Sequence, residues 1–353
     1  MHKVQIPRVV VLLSKYHGSN SQLLAIAKNL NYGDVVPIRC ELRSRSTAFS
    51  WIYLLVIWLR NLLGGANLLS GWLAQIVLKN SVRCGDKDII LAKTPPFEFP
   101  MHIMAAGTGA KTYFVGQPKR LPSSNYDLLV STPSTPVKGT SLELEMLPTS
   151  FTYKEFLAEQ VNLANQEDGW CLLIGGNARG FSYEERHWKA IADYILSCCS
   201  SQGVQWLIST SPRTGKRAED YLKQRLTPEA GFNGRVILWQ KSKTIEQPSV
   251  MSMLATANRV YVTEDSASML SEAVNTRLPV ISLRPESSEY NALTTPLAEY
   301  HAQKAHIVRI SLESVLSERT SIENWVVGDF SPLECCWSDV LSDCETLGLR
   351  KPA

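Results

Sequence analysis

Three short polar stretches in the second half of the chain each follow an apolar run and carry residues suited to binding an anion. Gly175, Gly176 and Asn177 follow WCLLI, STSPRT (Ser209 to Thr214) follows VQWLI, and TEDSAS (Thr263 to Ser268) follows VYV. Arg213 stands among Ser209, Thr210, Ser211 and Thr214, and a guanidinium fork among hydroxyls suits phosphate oxygens. It equally fits a surface cation pairing with acids of its own helix. Ser266 and Ser268 lie where a helix starts after a strand, and the free N–H groups and positive dipole end there favour a phosphate. Near the other end of the chain, His17 lies in SKYHGSNS. Its imidazole, titrating near neutrality, suits proton abstraction from a hydroxyl, while an exposed loop histidine is the plainer reading. Asn20 and Gln22 fit either ligand positioning or helix capping.

The elements that would position these groups follow from the apolar pattern. Arg259 to Ile281 reads as a buried strand, a polar turn, a helix over about 266–276 and a second strand opening at Pro279 and Val280. CLLIGG and VQWLIS read as two more strands, each followed by a helix, and Ser182 with Glu185 has capping-box spacing. Three strand ends thus converge on one side of one parallel sheet, where such sheets bind ligands. At the start of the chain, Val9 to Leu13 form a central strand, Ser14 to Ser21 a loop, and QLLAIAKNL an amphipathic helix. The missing G-x-G-x-x-G in that loop argues against a dinucleotide-dependent dehydrogenase or epimerase. DIILA, TYFVG and YDLLV continue the strand series, with a short helix over about 101–107.

A chain of 353 residues suits two domains. The boundaries read as an N-terminal Rossmann-like domain over 1–150, a linker helix over 151–168, a second domain over 169–325 and a final helical segment over 326–353. With 44% hydrophobic and 20% charged residues the composition is that of a folded protein, and a net charge of +3 gives no reason to expect nucleic acid. The eight cysteines include two adjacent pairs and no C-x-x-C, which excludes zinc spacing and a redox motif and favours reduced, buried thiols in the cytosol. The first residues read as a strand, not a signal peptide.

Trp51 to Leu59 is WIYLLVIWL, and Arg60 separates it from NLLGGANLLSGWLAQIVL. The interruption argues against a transmembrane pair. The flanking arginines and lysine, with Trp51, Trp58 and Trp72, fit a segment lying in a membrane interface from Trp51 to Lys79. Two core helices packed on the first sheet fit as well.

Taken together, LLIGGNARGFSYEE, STSPRTG and VTEDSASMLSEAVNTRLPV resemble the mitochondrial fission ELM1-like family, related in fold to GT-B glycosyltransferases, over about residues 170–285; HGSNSQLLAIA resembles its first loop and helix more loosely. The chain departs from the family pattern at Pro212, where an Arg is usual, at Arg277, where a Gly is usual, and at STPSTP near Ser131, where a His-Asp motif is usual. The resemblance implies an α/β, GT-B-like fold, two Rossmann-like doubly wound domains facing a cleft, with the final helix returning to the first. It implies a nucleotide-sugar site in which Gly175, Gly176, Ser209, Arg213, Ser266 and Ser268 hold the diphosphate and Glu272 the ribose. A carboxylate can accept two hydrogen bonds from a cis-diol, although Glu272 also fits a solvated helix position. His17 would be the base, with Gly18 and Asn20 on the acceptor side, and no metal or other cofactor would be needed. Glu264 and Asp265 would repel a diphosphate unless they cap the helix, point away or hold a cation. Two readings follow. One is a transferase moving a sugar from a nucleoside diphosphate sugar to a lipid-linked or lipopolysaccharide-type acceptor, peripheral on the inner face of the cytoplasmic membrane. The other is a non-catalytic adaptor on a membrane surface.

Overall fold

The computed structural model of the chain describes residues 7–14, 17–30, 32–39, 82–93, 97–105, 108–133, 135–138, 141–163, 169–239, 248–325 and 327–328. The segment from Trp51 to Lys79, and all but 327–328 of the final segment expected over 326–353, lie outside the described residues. The chain passes from a first compact unit to a second between Ser150 and Phe151.

The first unit is a parallel sheet with helical connections. In chain order it holds β1 (Arg8–Leu13), α1 (His17–Asn29), β2 (Asp34–Arg39), β3 (Ile89–Ala92), α2 (Glu98–Ala105), β4 (Lys111–Val115), β5 (Leu128–Ser131) and β6 (Leu142–Glu143). The strand order is β2-β1-β3-β4-β5-β6, all pairs parallel. Val9 to Leu12 and Ile89 to Ala92 are fully buried, because a central parallel strand is covered on both faces. The sequence reading passed over β2, whose Pro37 is tolerated because the strand is an edge and needs fewer N–H donors.

His17, Gly18 and Asn20 belong to the first turn of α1, not to a loop. The reason is a side-chain clasp. Asn20 Oδ1 accepts the Ser14 amide and Asn20 Nδ2 donates to the Ser14 carbonyl, both at 2.8 Å, so the end of β1 is tied directly to the helix start. Likewise α2 starts at Glu98, ahead of the expected Met101. Buried Glu98 accepts the amides of Lys119, Arg120 and Leu121 at 3.0, 3.0 and 3.1 Å and the Tyr126 hydroxyl at 3.1 Å, which fastens the turn after β4.

The second unit runs α3 (Tyr153–Asn162), β7 (Gly169–Leu173), α4 (Glu185–Gln202), β8 (Trp206–Ser209), α5 (Lys216–Arg225), β9 (Gly234–Ile237), α6 (Val250–Ala255), β10 (Ala257–Thr263), α7 (Ala267–Asn275), β11 (Val280–Arg284), α8 (Thr295–Gln303), β12 (Ile307–Ser311) and α9 (Arg319–Asn324). Its strand order is β12-β11-β10-β7-β8-β9, again all parallel. β10, β11 and β12 run outward to one side of β7, and β8 and β9 to the other. This is the doubly wound order whose reversal falls between β7 and β10. Trp170, Trp206, Tyr194 and Tyr261 pack edge-on or tilted in its core, with ring centroids 5.0 to 6.5 Å apart.

Local chemistry sets several boundaries differently from the sequence reading. The helix α4 is capped by Glu184 and His187, with the Glu184 amide donating to His187 Nδ1 at 2.9 Å, so the Ser182–Glu185 pair is not the cap. Residues 312–318 form turns, and the helix that follows is short, Arg319–Asn324. Ser311 Oγ captures the Glu313 amide at 3.1 Å, a local bond that competes with helix formation. The helix expected to link the domains, α3, packs on the second unit: Ser252 Oγ donates to Glu159 at 2.7 Å and Asn275 Nδ2 to the Phe151 carbonyl at 2.9 Å. Among the described residues no helix is long and apolar enough to cross a membrane.

Arg277 has φ 59°, in the left-handed region, while its guanidinium lies 4.0 Å from the centre of the Tyr153 ring. The strained backbone and the stack oppose each other, at about 1 kcal/mol each. Arg277→Ala keeps the strain and loses the stack, so it should lower the urea midpoint by the equivalent of about 1 kcal/mol, while Arg277→Gly should stay near wild type. Urea denaturation followed by tryptophan fluorescence checks this, and a stable Ala variant would show that the stack contributes nothing.

Candidate functional site

The reversal between β7 and β10 brings together the loop after β7, the turn after β8 and the turn before α7. Their centre is Asp265, 3% exposed. Its Oδ2 accepts the Gly176 amide at 3.1 Å and pairs with Arg213 Nη2 at 2.6 Å, while Oδ1 accepts the Tyr183 hydroxyl at 3.2 Å. Gly175 is glycine because a Cβ there would collide with the Asp265 carboxylate, and Gly176, at φ 148°, abuts the Arg213 carbonyl. The Gly175 amide donates to Thr263 Oγ1 at 2.7 Å, and its carbonyl accepts Ser211 Oγ at 2.8 Å and Thr214 Oγ1 at 2.5 Å. Three strand ends are therefore stitched into one polar knot.

Burial pushes the Asp265 carboxyl above its usual range, against the opposing pull of Arg213 and the Gly176 and Tyr183 donors. Burial likewise pushes the Tyr183 phenol well up, which keeps it a donor. The acidic pair that sat awkwardly beside a diphosphate is thus resolved by three internal cations, Arg213 on Asp265 and Arg309 and Arg284 on Glu264. Glu264, fully buried, turns toward the neighbouring strands, where Arg309 grips it at 2.7 and 2.8 Å and Ser282 donates at 3.1 Å. Asp265 takes Arg213.

Ser266 precedes α7 at its N-cap position and is 9% exposed, without a side-chain capping bond. Ser268 and Glu272 are half-buried on α7, and Ser209 is half-buried at the end of β8. Arg213, 42% exposed at its side chain, keeps part of its guanidinium open to solvent beyond the bond to Asp265. His17, Gly18 and Asn20 belong to the first unit, and Asn20 is committed to its clasp on Ser14.

Sequence reasoning missed the residues that brace the rim. Tyr183 reaches Asp265 across 82 positions, a contact with no local signal. Glu313 joins α4, the loop after β11 and the end of β12: His187 donates to it through Nε2 at 2.9 Å, the Glu286 amide at 2.9 Å and Ser311 Oγ at 3.0 Å. Because His187 Nδ1 accepts an amide, Nε2 carries the hydrogen. The Glu289 amide donates to the Gly180 carbonyl at 2.8 Å, and Asn291 Nδ2 to the Arg179 carbonyl at 2.5 Å, which joins the loops after β7 and β11. Among the described residues, no group of three or more His, Cys, Asp or Glu side chains could hold a metal ion.

Two doubly wound parallel sheets with this site at the second reversal define a GT-B-like fold. The MurG of Acinetobacter baumannii shares it, with a TM-score of 0.51 and 11% identity over 97% of this chain and 94% of that one. The chain belongs to the mitochondrial fission ELM1 family, whose pattern it matches over residues 17–306. An uncharacterised protein of Rickettsia prowazekii, RP120, is 26% identical over 146 residues, which is 41% of this chain and 39% of that protein. The chain thus matches well under half the length of that relative.

The coupling of Asp265 to Arg213 has a pH signature. A carboxyl raised by folding binds its proton more tightly in the folded state, so the cost of ionising it grows as pH rises and vanishes below its unfolded pKa. Arg213→Ala removes the compensating charge. It should cost about 2 kcal/mol near pH 8, less than for a fully buried pair because the guanidinium is partly exposed, and under about 1 kcal/mol near pH 5. Denaturant titrations of both proteins at the two pH values measure it, and a pH-independent difference would refute the coupling.

Proposed function

We propose that the chain is a glycosyltransferase that moves a sugar from a nucleoside diphosphate sugar to a lipid-linked or lipopolysaccharide-type acceptor at the inner face of the cytoplasmic membrane. The observation that carries this reading is the polar knot at the β7/β10 reversal, with Arg213 held at its edge and α7 starting beside it. A guanidinium fixed through one N–H retains further donors for phosphate oxygens, and it needs little reorganisation because Asp265 holds it in place. The start of α7 adds backbone donors and a positive dipole end toward a leaving diphosphate. Glu272, part-way along the same helix, would take the ribose hydroxyls, and Ser209, Ser266 and Ser268 would complete the phosphate contacts.

One feature favours the adaptor reading. The Gly175–Gly176 cradle is filled by Asp265 and Arg213, so these glycines bring protein groups together and leave the phosphate to Arg213 and α7. An adaptor would keep such a knot for stability alone. It would not require Glu272 half-buried on α7 beside it.

A thermal-shift screen against UDP, GDP, CDP, ADP, CMP and NAD separates the two. One nucleoside diphosphate should raise the melting temperature by several degrees at about 100 times its Kd, equivalent to about 2.7 kcal/mol, and Glu272→Ala should abolish the shift with little change in the unliganded melting temperature. No shift with any nucleotide would support the adaptor.

Membrane association rests on the residues between Trp51 and Lys79. Replacing Trp51, Trp58 and Trp72 together with alanine should reduce co-sedimentation with anionic vesicles by about ten-fold or more, since each indole contributes interfacial burial. Unchanged sedimentation of the folded variant would remove the membrane from the proposal.

A further inference from the structure

The first sheet has its own reversal, and a charge sits there without a counter-charge among the described residues. In the order β2-β1-β3-β4-β5-β6, α1 carries the chain from β1 to β2 on one side, and β3 lies on the other. The crevice at the carboxyl ends of β1 and β3 is therefore the switch point of this unit, the place where open parallel sheets take ligands. Val11 pairs with Leu91 in register, and two residues further on each strand stand Leu13 and Lys93.

Lys93 Nζ donates to the side-chain oxygen of Gln22, which is 5% exposed on α1. This contact spans the switch point, from the end of β3 to the helix that follows β1. Gln22 is neutral, and an ammonium carries three donors and no acceptor. Among the described residues several arginines sit on carboxylates, whereas half-buried Arg259 and Arg277 lie over the Trp170 and Tyr153 rings. Arg8 pairs with Asp88 at 2.5 Å at the opposite end of the same strand, Arg213 pairs with Asp265 at 2.6 Å, and Arg309 pairs with Glu264 at 2.7 Å. Among the described residues no carboxylate pairs with Lys93. Desolvation alone pushes its ammonium down to about 8, which reflects a cation drawn inward with nothing to balance it. Such a cation gains most from an arriving anion, and the start of α1, at the carboxyl end of β1, adds a positive dipole end on the same side.

We propose that Lys93, held across the switch point by Gln22, is the ionic anchor of a second anion site, one that takes a phosphate or diphosphate ester in the N-terminal unit. The site is separate from the Arg213 knot and does not depend on sugar transfer. A phosphate on the proposed acceptor would occupy it, whether the ester is soluble or borne by a lipid.

The test reads Lys93 itself. Full-length protein is trace-labelled near pH 8 with an amine-specific reagent, and the modification of each lysine is quantified by mass spectrometry. Inorganic pyrophosphate should protect Lys93 about five-fold, the fall in neutral amine when a bound anion raises an ammonium pKa by about one unit, and should leave exposed Lys189 unchanged. Gln22→Glu places a carboxylate on the same ammonium. It should slow Lys93 labelling without pyrophosphate and cancel the protection, while Arg213→Ala and Glu272→Ala should retain it. Vesicles of phosphatidylglycerol with phosphatidylcholine, set against phosphatidylcholine alone, distinguish the two sources: protection by these too would mean a lipid-borne phosphate, and protection by pyrophosphate alone a soluble ester. Lys93→Met, checked for folding by circular dichroism, should lose the part of the pyrophosphate-induced thermal shift that persists in Arg213→Ala. Equal labelling of Lys93 with and without every anion would overturn the proposal, as would protection that disappears in Arg213→Ala but survives in Gln22→Glu.

Discussion

The second unit depends on a buried carboxylate that is not allowed to remain alone. Asp265 lies 3% exposed where the sheet reverses direction, and its oxygens accept from Arg213, Gly176 and Tyr183. A charge in that position without partners would cost several kcal/mol. Satisfying it requires the loop after β7 to have no side chain at Gly175, the turn after β8 to deliver an arginine, and the loop before α4 to deliver a phenol. Local sequence in three separate places is therefore constrained by one group. The geometry that results is a fixed guanidinium at the rim, and the proposed phosphate chemistry rests on its being fixed.

Glu264 shows that the arrangement is specific to position and not to acidity. The two acids are adjacent in sequence and both buried, yet Glu264 is enclosed by Arg309 and Ser282 and has no part in the rim. An acid gripped by a guanidinium through two bonds and a hydroxyl braces β11 and β12 against the end of β10. Glu313 then does the same for the outer loops, collecting His187, Glu286 and Ser311. The rim is rigid because its acids are spent on its own framework.

This explains how far the sequence could be read. The strands were legible because parallel strands buried on both faces leave unbroken apolar runs, as in Val9 to Leu13 and Cys171 to Ile174. The order of polar strand ends was legible because each follows such a run. What the glycines at 175 and 176 approach was not, since the partner lies 89 positions away and the sequence offers a phosphate and a carboxylate as equal candidates. Of the alternatives for Asp265 and Glu264, both acids hold cations, and these are arginines of the chain, Arg213 for Asp265 and Arg309 and Arg284 for Glu264. The start of α1 was misplaced because SNS looks like a loop until Asn20 is seen clasping both backbone groups of Ser14. Lys93 drew no attention, since a lysine after a strand is unremarkable until its partner is known to be neutral.

Both sheets place a cation beyond the carboxyl end of a strand beside the reversal, Arg213 in one and Lys93 in the other. In the second unit the cation is balanced by Asp265, so an arriving anion meets a preset but largely neutral pair and gains chiefly from unused donors and the α7 dipole. In the first unit the cation meets, among the described residues, the neutral Gln22 oxygen and no carboxylate, so an anion there would gain a full Coulombic partner and relieve the cost of desolvation as well. Affinity at the first site should therefore depend mainly on charge. At the second it should depend on shape and hydrogen bonding, as discrimination among nucleotides requires, because a neutralised site cannot hold a ligand by charge alone.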